Sequence, residues 1–258
     1  MMLLNSVILV LREVLEAAFI VSLLLALSQG LRQGARWFAW TLPPAAMGTA
    51  LFAAILDRLT EALDGAGQEV TNAAIQVLVY LFVAAIVAMA ARVEARPHWR
   101  LLQGLMAGAV TLSLVREGAE IVIYITGFAA DPAQRAAVFA GSALGAGIGV
   151  SVGILLYCSL RAMDPTRALA LCLLLLGVIA TGMLMQASML LEQVDWLPSA
   201  TAVWDSSGLV SERSIAGELL YAVFGYEATP SALQLALYLS GLAVMALAWL
   251  APRRLNSA

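Results

Sequence analysis

Two short segments of the chain share one pattern of charged residues, and that pattern can bind a metal ion. Residues 12–16 read Arg-Glu-Val-Leu-Glu and residues 116–120 read Arg-Glu-Gly-Ala-Glu, so each is an R-E-x-x-E motif. On a helix, two glutamates three positions apart lie on one face, and the arginine lies one turn from the second glutamate. Together the motifs carry four carboxylates and two guanidiniums, a net charge of −2 that suits a multivalent cation.

The carboxylates are hard oxygen ligands, which favour magnesium, calcium, manganese and iron over Cu(I). The candidate metal ligands of the two motifs are Glu13, Glu16, Glu117 and Glu120. Arg12 and Arg116 are expected to balance the charge of the empty site and to orient its ligands. A site for a softer metal ion has few candidate ligands. The chain has one histidine, His98, and its two cysteines, Cys158 and Cys172, lie in different predicted helices. Ligand chemistry alone leaves iron, manganese and calcium open.

The composition of the whole chain indicates a membrane protein. Of its 258 residues, 62% are hydrophobic and 12% are charged, and the mean hydropathy is +0.91. A soluble domain is about half apolar and about a quarter charged. This composition excludes an ordinary soluble domain, a disordered chain and a nucleic-acid-binding protein. It predicts an all-α polytopic protein surrounded by lipid, because helices satisfy their own backbone groups in a bilayer. No permanently bound cofactor is expected.

Seven segments are long enough to cross a bilayer, which takes about 20 residues. Five are free of charge: 37–56, 70–91, 136–160, 168–191 and 228–252. The other two, roughly 3–30 and 101–129, carry the motifs at their centres. A charged side chain there costs about 2.5–3.5 kcal/mol, so these groups must face an interior or a water-filled path and have partners. Both motifs are expected near the midplane of the bilayer.

The motifs fall in the first and fourth of the seven predicted helices, so the repeat unit is three helices. An odd number of crossings inverts the second unit, and inverted repeats around a midplane site are typical of transporters. The single domain 1–258 then comprises the following parts: repeat one, about 1–97; repeat two, about 98–192; an outer loop, 193–227; and a last helix, 228–252. A short amphipathic helix is expected within the outer loop, between Ser214 and Tyr226.

The charges of the connecting segments predict the orientation. Nine arginines follow the first, third, fifth and seventh helices, and three follow the others. The positive-inside rule therefore places the N-terminus outside and the C-terminus in the cytoplasm. Eleven acidic residues lie in the predicted outer segments, where they would raise the local concentration of cations.

The paired motifs resemble those of the oxidase-dependent iron permease family, which includes the fungal high-affinity iron permease and the bacterial elemental ferrous iron uptake permease. The hallmark of that family is R-E-G-x-E in the first and fourth of seven helices. Residues 116–120 match it fully, whereas Val14 replaces the glycine of the first motif. The resemblance extends to Gly67–Glu69 and to the tail from Trp204 to Ala232.

The resemblance implies a transporter rather than an enzyme: high-affinity import of iron, as Fe²⁺ or Fe³⁺, across the plasma membrane, here a bacterial inner membrane. It also implies an extracytoplasmic partner that oxidises or delivers iron, such as a multicopper oxidase, a cupredoxin-like protein or a haem peroxidase. The family's D/E-x-x-E element at the start of helix three reads here as residues 69–72. Glu69 becomes a candidate entry ligand, or an ordinary acid at a helix start, and Asn72 offers an amide oxygen in place of the second acid.

Other interpretations remain open. The same ligands suit an importer of another hard divalent ion, such as manganese. An intramembrane glutamate protease would require E-E-x-x-x-R and histidines within helices, and a redox relay would require C-x-x-C; the sequence has neither. The fifth predicted helix carries small residues at every fourth position, at Gly141, Gly145, Gly149 and Gly153. This stripe favours close packing within the chain, with a contact between copies of a homo-oligomer as the alternative.

Overall fold

The computed structural model describes residues 2–91, 99–198, 201–212 and 214–255, and these are built from helices. In chain order the helices are α1 (Met2–Gly30), α2 (Arg36–Ala39), α3 (Leu42–Ala54), α4 (Leu56–Glu61), α5 (Gly67–Ala90), α6 (Trp99–Ala129), α7 (Pro132–Ala162), α8 (Pro165–Gln193), α9 (Ile215–Phe224) and α10 (Ala232–Leu255). A 3₁₀ turn over Ala62–Gly65 joins α4 to α5. The single histidine, His98, lies outside the described residues.

Several of these helices can cross a membrane. Within the described ranges, α5, α7, α8 and the Ala232–Leu250 part of α10 are long and apolar enough, which gives four spans, or five if the bent segment around α3 is one span. Helices α1 and α6 have 29 and 31 residues, and they carry the charged motifs. The expectation of a helical multi-pass protein is confirmed. The count of seven crossings, the inverted repeats and the orientation stay predictions.

The second predicted span, 37–56, differs from the single helix that was expected. It is divided among α2, α3 and α4, with a bend of 63° between Arg36–Ala54 and Arg58–Gly65. Two prolines begin α3, and proline has no backbone N–H to continue the hydrogen bonds of α2. At the end of α2, the backbone N–H and the hydroxyl of Thr41 both donate to the Phe38 carbonyl, at 3.0 Å and 2.6 Å.

Helices α1 and α6 run antiparallel. Ser6, near the start of α1, shares a hydrogen bond of 2.7 Å with the Tyr124 hydroxyl near the end of α6. At the other end, Gln103 of α6 donates to Gln33, just beyond α1, at 3.4 Å. The two R-E-x-x-E motifs therefore lie at the same level of this helix pair.

Helix α7 lies alongside α1 through its stripe of small residues. A Cβ atom at Gly145 would lie 2.5 Å from the Val7 carbonyl oxygen, and one at Gly153 would lie 2.8 Å from the Ala18 Cβ. Gly141 and Gly149 face α1 in the same way. Successive glycines along α7 contact successive turns of α1 in the same direction, so the two helices are parallel. The packing of this stripe within the chain is confirmed.

The apolar core occupies one half of the helix bundle, on the side of the motifs nearer to the C-terminal end of α1. Its fully buried members come from α1, α5, α6 and α8, and they include Ile20, Leu24, Leu27, Ile86, Leu102, Met106 and Leu176. Helix α10 packs on the outside of this core, where the Tyr80 hydroxyl of α5 donates to the Gly241 carbonyl at 3.0 Å. Buried apolar side chains of α1, α5, α6 and α8 therefore pack together on this side of the motifs.

The segment between α8 and α10 folds back onto the bundle, and its helix α9 packs against α1 and α8. The expected short helix is thus present. Its first turn is capped by Ser214, whose Oγ accepts from the Gly217 N–H at 3.0 Å. It ends at Gly225, where φ is 66°. A Cβ at Gly182 of α8 would lie 2.8 Å from the Gly225 nitrogen, so only a glycine pair permits this approach.

Candidate metal site

The two motifs meet across the α1–α6 interface, and Arg116 joins them. Its Nη1 atom lies 2.9 Å from Glu16 Oε2 on α1 and 2.5 Å from Glu117 Oε1 on its own helix. Its Nη2 atom lies 3.4 Å from Glu120 Oε1. The Arg116 side chain is only 4% exposed, so this guanidinium neutralises carboxylates from both helices in a buried place.

Arg12, the equivalent arginine of the first motif, has a different environment. Its Nε atom lies 3.6 Å from oxygens of Glu13 and Glu16 on the same helix, and its side chain is 30% exposed. The Tyr221 ring of α9 covers it, with 4.9 Å from the Arg12 Cζ to the ring centroid. This is the geometry of a cation–π contact.

Three carboxylates come close enough together to hold one metal ion. Glu13, Glu117 and Glu120 each offer one oxygen, and the three oxygens lie within 4.8 Å of one another. We call these residues the carboxylate triad. Glu13 Oε2 and Glu117 Oε2 are buried without a hydrogen-bond partner among the described residues. Because carboxylate oxygens without donors repel one another, a hard cation would satisfy this arrangement.

Glu16, the fourth predicted ligand, lies outside the triad. One of its oxygens accepts from Arg116, and the other lies 3.6 Å from the Arg12 Nε. Glu16 is therefore placed to hold the two guanidiniums beside the triad. The structure brings three of the four predicted carboxylates into metal-binding distance and puts the fourth in ion pairs.

Glu69 and Asn72 lie in the first two turns of α5. Glu69 Oε2 and Asn72 Oδ1 are both buried without a hydrogen-bond partner in the described part of the chain. Glu69 is not among the carboxylates that lie within metal-binding distance of one another. The entry role of these two residues stays a prediction.

The triad has one polar edge and one apolar edge. The Glu120 side chain is 27% exposed, and with Arg12 it forms the accessible edge beneath α9. On the other side, Glu117 borders a cavity of about 460 Å³. Its other lining residues come from α1, α2, α3, α6 and α7, and they are nearly all apolar. A cation loses hydration energy in such surroundings. The charged and partly exposed groups of the site therefore lie together at the polar edge.

Three residues near the site were not foreseen from the sequence: Tyr221, Gln76 and Gln186. Gln76 Nε2 donates to Gln186 Oε1 at 2.7 Å, and Gln186 Nε2 donates to the Tyr221 carbonyl at 3.2 Å. A signal for the glutamines was available, because each is an amide inside a charge-free apolar span. No pattern in the sequence connects Tyr221 to Arg12.

Long apolar helices around a buried cluster of carboxylates and guanidiniums indicate a multi-pass membrane protein with a buried polar site. The sequence matches the Iron permease FTR1 family over residues 3–252, and the chain belongs to that family. This is a family of permeases, which transport iron, rather than of enzymes. No curated protein and no solved structure gave a match.

Proposed function

We propose that the protein imports iron with high affinity across the plasma membrane, here a bacterial inner membrane, and that the ion binds at the carboxylate triad near the bilayer midplane. The observation that carries this proposal is the meeting of Glu13, Glu117 and Glu120, from both R-E-x-x-E motifs, within 4.8 Å. Membership of an iron permease family supplies the identity of the ion.

The charge of the site supports a divalent or trivalent ion. Two negative charges at the upper limit of 4.8 Å repel by about 3.5 kcal/mol at an effective dielectric constant of about 20, and closer charges repel more. Arg116 and Arg12 compensate two of the four negative charges, which leaves −2 on the empty site. A ferrous ion would bring the net charge to zero and supply a partner for Glu13 Oε2 and Glu117 Oε2.

Helix packing supports the proposal of two inverted repeats, about 1–97 and about 98–192. The interfaces occur in corresponding pairs, because α1 of the first repeat packs on α7 of the second, and α6 of the second packs on α3 of the first. Helix α1 also packs on its counterpart α6, and α5 on its counterpart α8. Such matching pairs of interfaces are expected when two units are related by a two-fold axis in the membrane plane.

The two sides of the site differ in a way that supports import by alternating access. With the N-terminus outside, the accessible edge at Arg12 and Glu120 is reached from the outer segment and α9. The apolar core then lies between the triad and the cytoplasm, beside the apolar cavity that Glu117 borders, and restricts the inner path. An incoming ion would pass Glu69 and Asn72, bind the triad, and leave when the repeats rock and the core separates.

Radiolabelled iron uptake into proteoliposomes tests this function. We expect that Glu13→Gln, Glu117→Gln and Glu120→Gln each abolish uptake, because each removes a charged ligand while keeping side-chain size. Glu61→Gln, at an exposed position of α4, is the matched control and keeps the wild-type rate. Uptake at the wild-type rate by the triple variant of the triad, in protein that remains folded, would reject the proposal.

Import of manganese is the second candidate, because the triad consists of carboxylates alone and these suit Mn²⁺ as well. Competition of Mn²⁺ with labelled iron separates the two functions. If Mn²⁺ is transported at lower concentration than iron, manganese is the substrate. Parallel assays with and without ascorbate distinguish Fe²⁺ from Fe³⁺.

We also propose an extracytoplasmic partner, as the family resemblance implies: an oxidase, a cupredoxin-like protein or a peroxidase that delivers iron to the outer segment 193–227. Added to the outside of proteoliposomes, such a partner should increase uptake at low iron concentration. A variant with an altered α9 surface should lose this increase while it keeps uptake of free iron.

A further inference from the structure

Two glutamines in the spanning helices α5 and α8 form a hydrogen-bonded chain whose direction is fixed. Gln186 lies 3.2 Å from the Tyr221 carbonyl oxygen, which can only accept a hydrogen bond, so the amide nitrogen of Gln186 must face it. The Gln186 oxygen then accepts from the amide nitrogen of Gln76 at 2.7 Å. The remaining atom, Gln76 Oε1, must therefore be an oxygen and not an NH₂ group.

This oxygen is buried and unpaired. Gln76 is 0% exposed, and its Oε1 has no hydrogen-bond partner among the described residues. One turn earlier, Asn72 is 6% exposed and its Oδ1 is also without a partner. The Glu69 Oε2 is a third such atom, near the start of the helix. Buried acceptors are normally paired, so three on one helix call for an explanation.

The three residues lie on one face of α5, because they are spaced three and four positions apart. We call Glu69, Asn72 and Gln76 the α5 oxygen row. It begins in the first turn of the helix and ends at a fully buried amide. Carboxylate and amide oxygens are the ligands that hard cations prefer.

The inner end of the row is connected to the first R-E-x-x-E motif through two intervening residues. The same residue, Tyr221, accepts from Gln186 through its carbonyl and covers Arg12 with its ring at 4.9 Å. Gln76 is thus joined through Gln186 and Tyr221 to the first R-E-x-x-E motif.

We propose that Gln76 Oε1 is a cation ligand, and that with Asn72 it forms a relay site that holds the incoming iron ion before it reaches the carboxylate triad. This inference rests on the proposed function. The two neutral oxygens attract a partly dehydrated cation less strongly than three carboxylates do. Conduction requires such a site, because an ion must bind well enough to enter and weakly enough to leave.

The test compares Gln76→Met with Gln186→Met in proteoliposomes supplied with radiolabelled ferrous iron and ascorbate. Both variants remove the hydrogen bond between the two amides, but only Gln76→Met removes the unpaired oxygen. We expect Gln76→Met to raise the KM for uptake roughly tenfold, and Gln186→Met to change it far less. Asn72→Leu removes the other unpaired oxygen of the relay site. It should also raise the KM, and it tests the relay if Gln76→Met does not fold.

Equilibrium binding of Mn²⁺ to the detergent-purified protein supplies a readout at the triad itself. We expect Gln76→Met to leave tight Mn²⁺ binding unchanged, because Glu13, Glu117 and Glu120 are intact. Equal rises in KM for Gln76→Met and Gln186→Met, or a wild-type KM in both Gln76→Met and Asn72→Leu, would overturn the relay. If the triad variants still transport iron, the proposed function fails instead, whatever the Gln76 variant does.

Discussion

Replacement of Arg116 should destabilise the protein far more than replacement of Arg12, although both arginines begin the same motif. The Arg116 side chain is 4% exposed and contacts three carboxylates, one of them on the neighbouring helix. The Arg12 side chain is 30% exposed, and its ion pairs, at 3.6 Å, are both within its own helix. Arg116→Met and Arg12→Met are therefore a matched pair of substitutions.

The expected magnitudes follow from burial. Removal of one partner of a buried ion pair leaves uncompensated charge and costs about 3–5 kcal/mol, which we expect for Arg116→Met. Partly exposed pairs contribute about 0–1 kcal/mol. The contact of Arg12 with the Tyr221 ring adds about 0.5–1 kcal/mol, so Arg12→Met should cost no more than about 2 kcal/mol.

Thermal unfolding of the detergent-purified protein measures the difference. At about 2–4 °C per kcal/mol for a chain of this size, Arg116→Met should lower Tm by roughly 6–20 °C in the presence of a chelator. Addition of Mn²⁺ or Fe²⁺ should restore part of this loss, because the cation supplies positive charge next to Glu117 and Glu120. The double variant Glu16→Gln, Arg116→Met should also recover stability, since one uncompensated carboxylate is gone.

Two results would refute this account of the site. Equal losses of Tm in Arg116→Met and Arg12→Met would mean that the bridge between α1 and α6 has no special energetic weight. A Tm of Arg116→Met that does not respond to divalent cations would mean that the triad does not bind them.

Two further predictions concern the packing of α7 and the outer segment. Gly145→Ala should lower the free energy of unfolding by about 1–3 kcal/mol, because the new Cβ would lie 2.5 Å from the Val7 carbonyl oxygen. Gly147→Ala is the control. A Cβ there would have nothing within 4 Å, so it should have little effect in the same thermal assay. Burial and the adjacent Glu212 carboxyl raise the pKa of Glu227 to about 7. The folded segment then keeps a proton that the unfolded chain releases near its ordinary pKa of 4.5, so this contribution to stability is full at lower pH and is lost as the pH rises towards 7. Glu227→Gln should remove this part of the pH dependence of protease resistance, and an unchanged profile would contradict it.

The meeting of the two motifs could be predicted from the sequence, because buried charges in a bilayer need partners and each motif could supply the other's. The sequence could not predict which glutamates form the triad and which one pairs with the arginines. Whether Glu16 or Glu120 completes the triad depends on side-chain rotamers around one guanidinium, and the spacing of the motif is the same for both. In the structure, Glu16 forms ion pairs with both arginines, and Glu120 contributes an oxygen to the triad.

The divided second span and the covering helix show two different limits of sequence reasoning. The prolines that begin α3 are visible in the sequence, but the absence of charge over 37–56 by itself predicts one continuous span. The position of Tyr221 over Arg12, in contrast, could not be predicted from the sequence. It depends on how a long outer segment folds back, and the close approach of Gly182 and Gly225 that fixes α9 joins residues far apart in the chain.

The one departure from the family hallmark, Val14 in place of glycine, follows from the same helix contacts. At the matching position of the second motif, a Cβ on Gly118 would lie 2.8 Å from Thr49 Oγ1 of α3. In the first motif the small residue is on the opposite helix, because a Cβ on Gly149 of α7 would lie 2.7 Å from Val14 Cγ1. Close approach thus needs one glycine per contact, on either helix. Val14 is accommodated in the first motif because Gly149 of the facing helix provides the space.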